Sequence, residues 1–228
     1  MPSSLTDPPT TGTRPATAEE LEHQKAAITR LGHELRALVE ATVRTAASPD
    51  TLHRVADGVR HVTGQLTGRR RARAEIPEVD EFPTGTRMYS PVTGAGSPLA
   101  PPVHVTLTDD GPIGRCTLGI AHEGPPGYGH GGMSAMLLDE LMGRACAAAG
   151  MPGLTVSLQM RYHRPVPLET PLRILARVTG TDNRKVFVTG SITRQADPAT
   201  TLVTADGVFV APDPHRARAL FPDLRGEP

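Results

Sequence analysis

From Leu21 onward, apolar residues recur at intervals of three and four: Leu21, Ile28, Leu31, Leu35 and Leu38, with Thr42 continuing the series. That spacing predicts one amphipathic helix, and Thr17 with Glu20 three residues on reads as the capping box that starts it. After a break at Ser48-Pro49-Asp50 the same spacing returns at Leu52, Val55, Val59, Val62 and Leu66. It predicts a second helix folding back on the first, a helical hairpin over residues 16–68. Residues 1–15, rich in Pro, Thr and Ser, are expected to be disordered. Residues 69–102 open with the basic run Arg69 to Arg73, then become dense in Pro, Gly and Ser without periodicity, which predicts a linker or long loop wrapped over a surface.

The pattern changes after residue 102. Alternating apolar runs at 103–108 and 113–121 flank an Asp-Asp-Gly-Pro turn, and a helical stretch follows at 132–149. Strand patterns return at 154–163, 172–180, 186–194 and 202–210, separated by Pro, Gly, Asn and Asp. Short connections favour antiparallel pairing, so residues 103–212 predict an α+β domain with one long helix packed on a sheet, followed by a tail at 213–228.

Composition narrows the function only a little. The 228 residues can bury a sizeable core, and Lys plus Arg balance Asp plus Glu at 24 each. A neutral chain gives no global argument for nucleic acid or an anionic membrane. Two cysteines, Cys116 and Cys146, are too few for a disulfide framework or a Cys-rich zinc site, and no apolar run is long enough to span a bilayer. The expectation is a cytoplasmic protein without membrane insertion.

The chemistry concentrates in GYGHGGMSAMLLDELMG, residues 127–143. From Gly127 it satisfies G-x-G-x-x-G, but a dinucleotide site needs the first glycine to end a strand within a strand-helix-strand unit, and Glu123-Gly124-Pro125-Pro126 intervenes. From His130 it reads as a His-Gly-Gly turn opening a helix. Gly131 and Gly132 then lie where backbone N–H groups lack helical partners, suited to an oxyanion forming on an attacked carbonyl. Two acids follow. Glu140 precedes Arg144 by four residues, the order of a surface ion pair. Asp139 has Ala135 and Gly143 one turn either side, with Met136 and Met142 as apolar walls, and is the favoured base. Asp139 lies eight residues beyond Gly131, roughly 12 Å along a helix, whereas both groups must reach one small reacting centre. That separation predicts a two-fold dimer with two shared sites.

HGGMSAMLLDELMGRA, LTVSLQMRYHRPVPL, DNRKVFVTGSI and ADGVFVAP together resemble the hot-dog-fold acyl-CoA thioesterases of the PaaI-like group, including the THEM4-like branch. The resemblance implies a long helix wrapped by an antiparallel sheet, dimers that often pair into tetramers, and hydrolysis of an acyl-CoA thioester. It implies that Gly131 donates its N–H to the thioester oxygen and that Asp139 of the other subunit activates water or attacks the carbonyl. Thr155 would orient the water, and His130 would support the turn. Family members commonly carry Asn or Gln six residues before the His; that position is Gly124, with Glu123 adjacent as a substitute.

Arg161, His163 and Arg164 at one strand end, and Arg184 and Lys185 at another, are candidates for the phosphates of coenzyme A, which enters as part of the substrate rather than as a cofactor. No metal is expected, because His104, His122, His130 and His163 lack helical i, i+4 pairing and cysteine partners. A non-hydrolytic acyl-CoA-binding or regulatory protein of the same fold is the alternative. A hot-dog hydratase is disfavoured, since no His follows Asp139 at short range.

Overall fold

The computed structural model describes residues 16–68, 70–73, 75–81 and 85–213. The expected disorder of residues 1–15, the tail beyond Asp213, and Arg69 lie outside the described residues. Helix α1 spans Ala18–Arg44 and begins at the expected capping box, in which Glu20 N–H donates to Thr17 Oγ1 at 3.2 Å and Thr17 N–H donates to Glu20 Oε2 at 2.7 Å. Helix α2 spans Pro49–Gly64, with Ser48 as its cap and Pro49 in the first turn, where a missing N–H costs nothing.

The two helices do not form the packed hairpin that the spacing predicts. No residue of α2 is buried, and Leu52, Val55, Val59, Val62 and Leu66 all remain exposed. The reason lies in what α1 packs against. Its Gly32 is buried against the backbone of Ala95 and Gly96, where any Cβ would collide with the Ala95 carbonyl oxygen. Arg36 donates from Nη1 to the carbonyls of Ala95 and Ser97, both at 2.8 Å. The best-packed face of α1 is therefore committed to the loop, not to α2.

That loop is more than a linker. Among its described residues it has no helix or strand, yet Val79, Met88, Val92 and Ala100 are buried. Six strands follow: β1 (His104–Thr108), β2 (Gly111–Thr117), β3 (Leu154–Tyr162), β4 (Pro171–Asp182), β5 (Lys185–Arg194) and β6 (Asp197–Val210). They form one sheet in the order β1-β2-β4-β5-β6-β3, antiparallel throughout. β2 stops at Thr117, short of the expected 121, because the chain turns into a 3-10 turn at Ile120–His122. β6 starts earlier than expected, since Asp197–Thr201 pairs with the end of β5 instead of forming a loop.

Helix α3 (Gly131–Ala148) packs across one face of this sheet, the hot-dog arrangement. Its buried positions Ser134, Leu137, Leu138, Leu141, Met142 and Ala145 follow helical spacing, so one stripe meets the sheet. The sheet answers with alternate residues: Leu172, Ile174 and Ala176 from β4, Val186, Val188 and Ile192 from β5. Gly190 permits the close approach; a Cβ there would lie 2.8 Å from Leu138 Cδ2.

Both cysteines belong to this interior. Burial pushes the Cys116 thiol up to about 12 and Cys146 to about 11. At pH 8 the folded protein is expected to react with a disulfide reagent far more slowly than the denatured chain, which should release two equivalents. Leu141→Ala, at a fully buried position on the inner stripe, should lower unfolding free energy by about 2–5 kcal/mol in a denaturant titration.

Candidate active site

The turn before α3 is held from several sides. Glu123 Oε1 accepts from Gly127 N–H at 2.7 Å, Gly124 N–H donates to the Tyr128 carbonyl at 2.9 Å, and Gly127 takes φ +79°, a conformation that favours glycine. Gly129 N–H donates to Val166 O at 2.8 Å and His130 N–H to His122 O at 2.9 Å, anchoring the turn to two neighbouring segments. A dinucleotide fingerprint is ruled out by this path: the strand ends at Thr117, well before the helix, and its neighbours are antiparallel.

His130 is the N-cap of α3. Its Nδ1 accepts the Gly132 N–H at 3.0 Å, which leaves the ring proton of the neutral form on Nε2. The sequence suggests two open N–H groups, and one of them is thus engaged. The Gly131 N–H, at the first helical position, has no acceptor among the described residues. Gly131 is also where Tyr162 reaches in: its hydroxyl donates to the Gly131 carbonyl at 3.0 Å. Tyr162, at the end of β3, is a contact that the strand pattern alone does not reveal.

Further along α3 the two acids separate in role. Glu140 Oε1 takes the Arg144 Nε–H at 2.9 Å and the Thr93 hydroxyl at 3.3 Å, while Arg144 also donates to Thr93 Oγ1 at 3.1 Å. This half-buried triad ties α3 to the loop and neutralises Glu140. Asp139 has no ion-pair partner among the described residues. Its Oδ1 accepts the Thr155 hydroxyl at 2.7 Å, and Thr155 sits beside a bulge at Val156 where the β3–β6 register shifts. Bulges re-aim side chains in this way. Asp139 and Thr155 open into a cleft of about 420 Å³, walled by Ser90 and Pro91 of the loop and by Gly143, Leu154 and Phe209.

Because β3 runs back along α3, Thr155 lies beside Asp139 and Tyr162 beside Gly131. Within one chain the glycine turn and the acid thus stand at separate points of a rigid helix, about 12 Å apart by its rise.

The basic candidates are divided between two ends of the sheet. Arg161 is the second-to-last residue of β3 with His163 and Arg164 just beyond, at the Gly131 end; the His163 ring meets Thr204 Oγ1 at 3.0 Å. Arg184 and Lys185 lie at the β4–β5 turn, at the Thr155 end, where Lys185 and Leu154 both pair with Val210. Arg184 is partly occupied, donating to Ala211 O at 3.3 Å and facing Asp213 at 3.6 Å. Of the basic run, Arg71 stacks over Tyr89 at 5.5 Å. His104 is exposed on edge strand β1, and His122 has a buried Nδ1 without a hydrogen-bond partner among the described residues. No group of three or more metal-ligating side chains occurs among the described residues.

Gly124 cannot carry the amide side chain seen in the resembling family. A Cβ there would lie 2.8 Å from His130 Cα. Of the adjacent Glu123 carboxylate, Oε1 closes the Gly127 turn.

Comparison with known proteins accords with this architecture. A family model described as the thioesterase superfamily matches residues 126–200, from the glycine turn into β6. Acyl-coenzyme A thioesterase THEM4 of Mus musculus is 30% identical over 98 residues, 43% of this chain and 42% of that one. Acyl-coenzyme A thioesterase THEM5 of Homo sapiens is 28% identical over 88 residues, 39% of this chain and 35% of that one. The chain spans less than half the length of these curated relatives. A crystal structure described as a thioesterase superfamily protein is 36% identical, with a TM-score of 0.72, and the match covers 80% of this chain and 94% of that one. With that identity sustained over nearly the whole of a relative, the chain belongs to the thioesterase superfamily.

Proposed function

We propose that the protein is an acyl-CoA thioesterase working as a two-fold dimer, with the Gly131 turn of one protomer facing Asp139 of the other. The observation that carries this reading is the occurrence on one helix of an N–H at its start without an acceptor, and of a carboxylate held by Thr155 without an ion-pair partner, both among the described residues. The named activity of the matched relatives supports the reaction class.

In this mechanism the thioester carbonyl oxygen sits at the Gly131 N–H. Asp139 takes a proton from water, and the resulting hydroxide attacks the carbonyl carbon. Negative charge moves onto the carbonyl oxygen, where the amide and the helix N-terminus stabilise it. Collapse breaks the C–S bond, and the coenzyme A thiolate takes the proton held by Asp139, which returns to its carboxylate form as the acid product leaves. Thr155 fixes the rotamer of Asp139, leaving its second oxygen for water. His130 serves the site by capping α3, and Gly132 serves it through that cap. Arg161, Arg164, Arg184 and Lys185 are the groups available to coenzyme A phosphates.

Dimerisation through β3 fits the same scheme. β3 is an edge strand whose Leu154, Val156 and Tyr162 are 45%, 60% and 54% exposed. A long apolar edge is a template for pairing with another strand. Two copies joined there would run antiparallel, setting the Thr155 end of one against the Tyr162 end of its mate. Pairing of such dimers into tetramers extends the proposal.

A second reading, acyl-CoA binding without hydrolysis, is favoured by one observation: Gly124 stands where the resembling family places an amide, and Glu123 is turned into its own loop. Release of free thiol from a panel of acyl-CoAs, graded in chain length and aromaticity, separates the two. Hydrolysis of at least one member is expected; tight binding with no thiol released would favour the second reading.

Two substitutions test the chemistry. Asp139→Asn should lower kcat by orders of magnitude while the melting temperature stays near that of wild type. Gly131→Pro removes the proposed donor at a first helical position that tolerates proline, after a residue already extended at φ −60°, ψ 138°. It should cost about 10²–10³ in kcat with α3 intact by circular dichroism. Wild-type turnover in either variant would remove that residue from the mechanism.

A further inference from the structure

Helix α1 lies outside the segment matched by the family model, yet it packs against the 3-10 turn at Ile120–His122, which precedes the turn that opens α3. Glu40, near its C-terminal end, lays its carboxylate on the 3-10 turn. Oε1 accepts the Ile120 N–H at 3.2 Å and Oε2 the Ala121 N–H at 3.3 Å. The fit is close: a Cβ on Gly119 would lie 2.7 Å from Glu40 Oε2. Arg44 holds the carboxylate from behind, with Nε–H donating to Glu40 Oε1 at 2.8 Å, and reaches on to Glu169. Glu169 in turn donates its N–H to Leu118 O at 2.8 Å. One acid on α1 thus gathers the 3-10 turn, and its arginine ties in the segment before β4.

The 3-10 turn in turn sets the glycine turn. His122 closes it, and the His122 carbonyl accepts the His130 N–H at 2.9 Å. His130 caps α3 and immediately precedes the open Gly131 N–H. Two hydrogen-bonded steps therefore link the Glu40 carboxylate to the donor assigned to the thioester oxygen.

We propose that Glu40 is a positioning residue, acting through the 3-10 turn at Ile120–His122 to hold the His130–Gly131 turn in its productive geometry. The effect on turnover rests on the thioesterase reading; the effect on the turn does not. Partial burial opposes charge on Glu40, but the Arg44 hydrogen bond and the Ala121 and Ile120 N–H groups outweigh it and hold the carboxyl below its usual range, so it is charged at neutral pH. Displacement of a reacting group by about 1 Å can cost about 10²-fold in rate, so a loosened turn should show in kcat.

The test uses the full chain and two independent routes to the same break. Glu40→Ala removes the carboxylate; Gly119→Ala leaves Glu40 in place but drives it off the turn. Lys25→Ala, which cuts the ion pair between α1 and Glu81 at 3.2 Å, is the control for general loosening of α1. Amide hydrogen exchange across residues 119–133 is read beside acyl-CoA turnover. Both clamp variants should exchange faster at His130 and Gly132, whose N–H groups are hydrogen-bonded in the turn, and lose about ten-fold or more in kcat with KM changed less than about two-fold. Glu40→Gln, which retains one acceptor oxygen, should fall between them and wild type, and Lys25→Ala should match wild type in both readouts. Unchanged exchange in the clamp variants, a loss confined to KM, or an equal loss in Lys25→Ala would overturn the proposal. Faster exchange at the turn in a protein whose wild type releases no thiol from any acyl-CoA would uphold the clamp and set aside the thioesterase reading.

Discussion

A straight α-helix fixes the distance between any two of its residues, and α3 carries both groups that the proposed chemistry requires. Gly131 opens the helix and Asp139 lies eight residues on, so a rise of about 1.5 Å per residue holds them about 12 Å apart whatever the loops do. The helix cannot bend to close that gap, because Leu137, Leu138, Leu141 and Met142 clamp it to the sheet without solvent exposure. On the proposed mechanism, the rigidity that stabilises the fold would leave a single chain without a complete site. Pairing of two chains about a two-fold axis, as proposed, would turn the same separation into an asset, since each helix would offer an amide at one end and an acid further along.

The surroundings of α3 assign its polar residues to distinct tasks. Glu140 and Arg144 neutralise each other against Thr93 and fasten the helix to the loop. Asp139, one residue earlier and rotated by about 100°, accepts a hydrogen bond from a neutral hydroxyl, has no ion-pair partner among the described residues, and faces the cleft. Adjacent carboxylates thus reach different fates through helical geometry alone. His130 follows the same logic: its ring is bound to Gly132, which makes it the fixture that shapes the turn.

Much of this was legible in the residues. Helical periodicity located α1 and α3 closely, because each carries a clear cap or an apolar stripe, whereas α2 begins at Pro49, inside the expected break, and ends at Gly64, before Leu66. Alternation located the centres of the strands, while their ends depended on pairing: the last residues expected in β2 go to a 3-10 turn, and Asp197–Thr201 joins β6 because β5 lies alongside it. The hairpin failed for a different reason. Periodicity says that a helix has an apolar face but not what covers it, and the loop around Ala95 occupies the face of α1 at Gly32. Glu40 was hidden because in sequence it is half of an ordinary i, i+4 pair with Arg44; its other contacts cross some eighty positions of chain. Tyr162 was hidden likewise, since only the return of β3 along α3 brings its hydroxyl to Gly131.

The shared site is open to a direct measurement. Protomers carrying Gly131→Pro and protomers carrying Asp139→Asn, each inactive alone, can be combined through separate affinity tags and the mixed dimer purified. A mixed dimer would contain one site with both defects and one with neither, so it should recover about half the wild-type turnover. Mixed dimers as inactive as their parents would contradict the account, because they would place Gly131 and Asp139 of a single chain in the same site or remove one of them from catalysis.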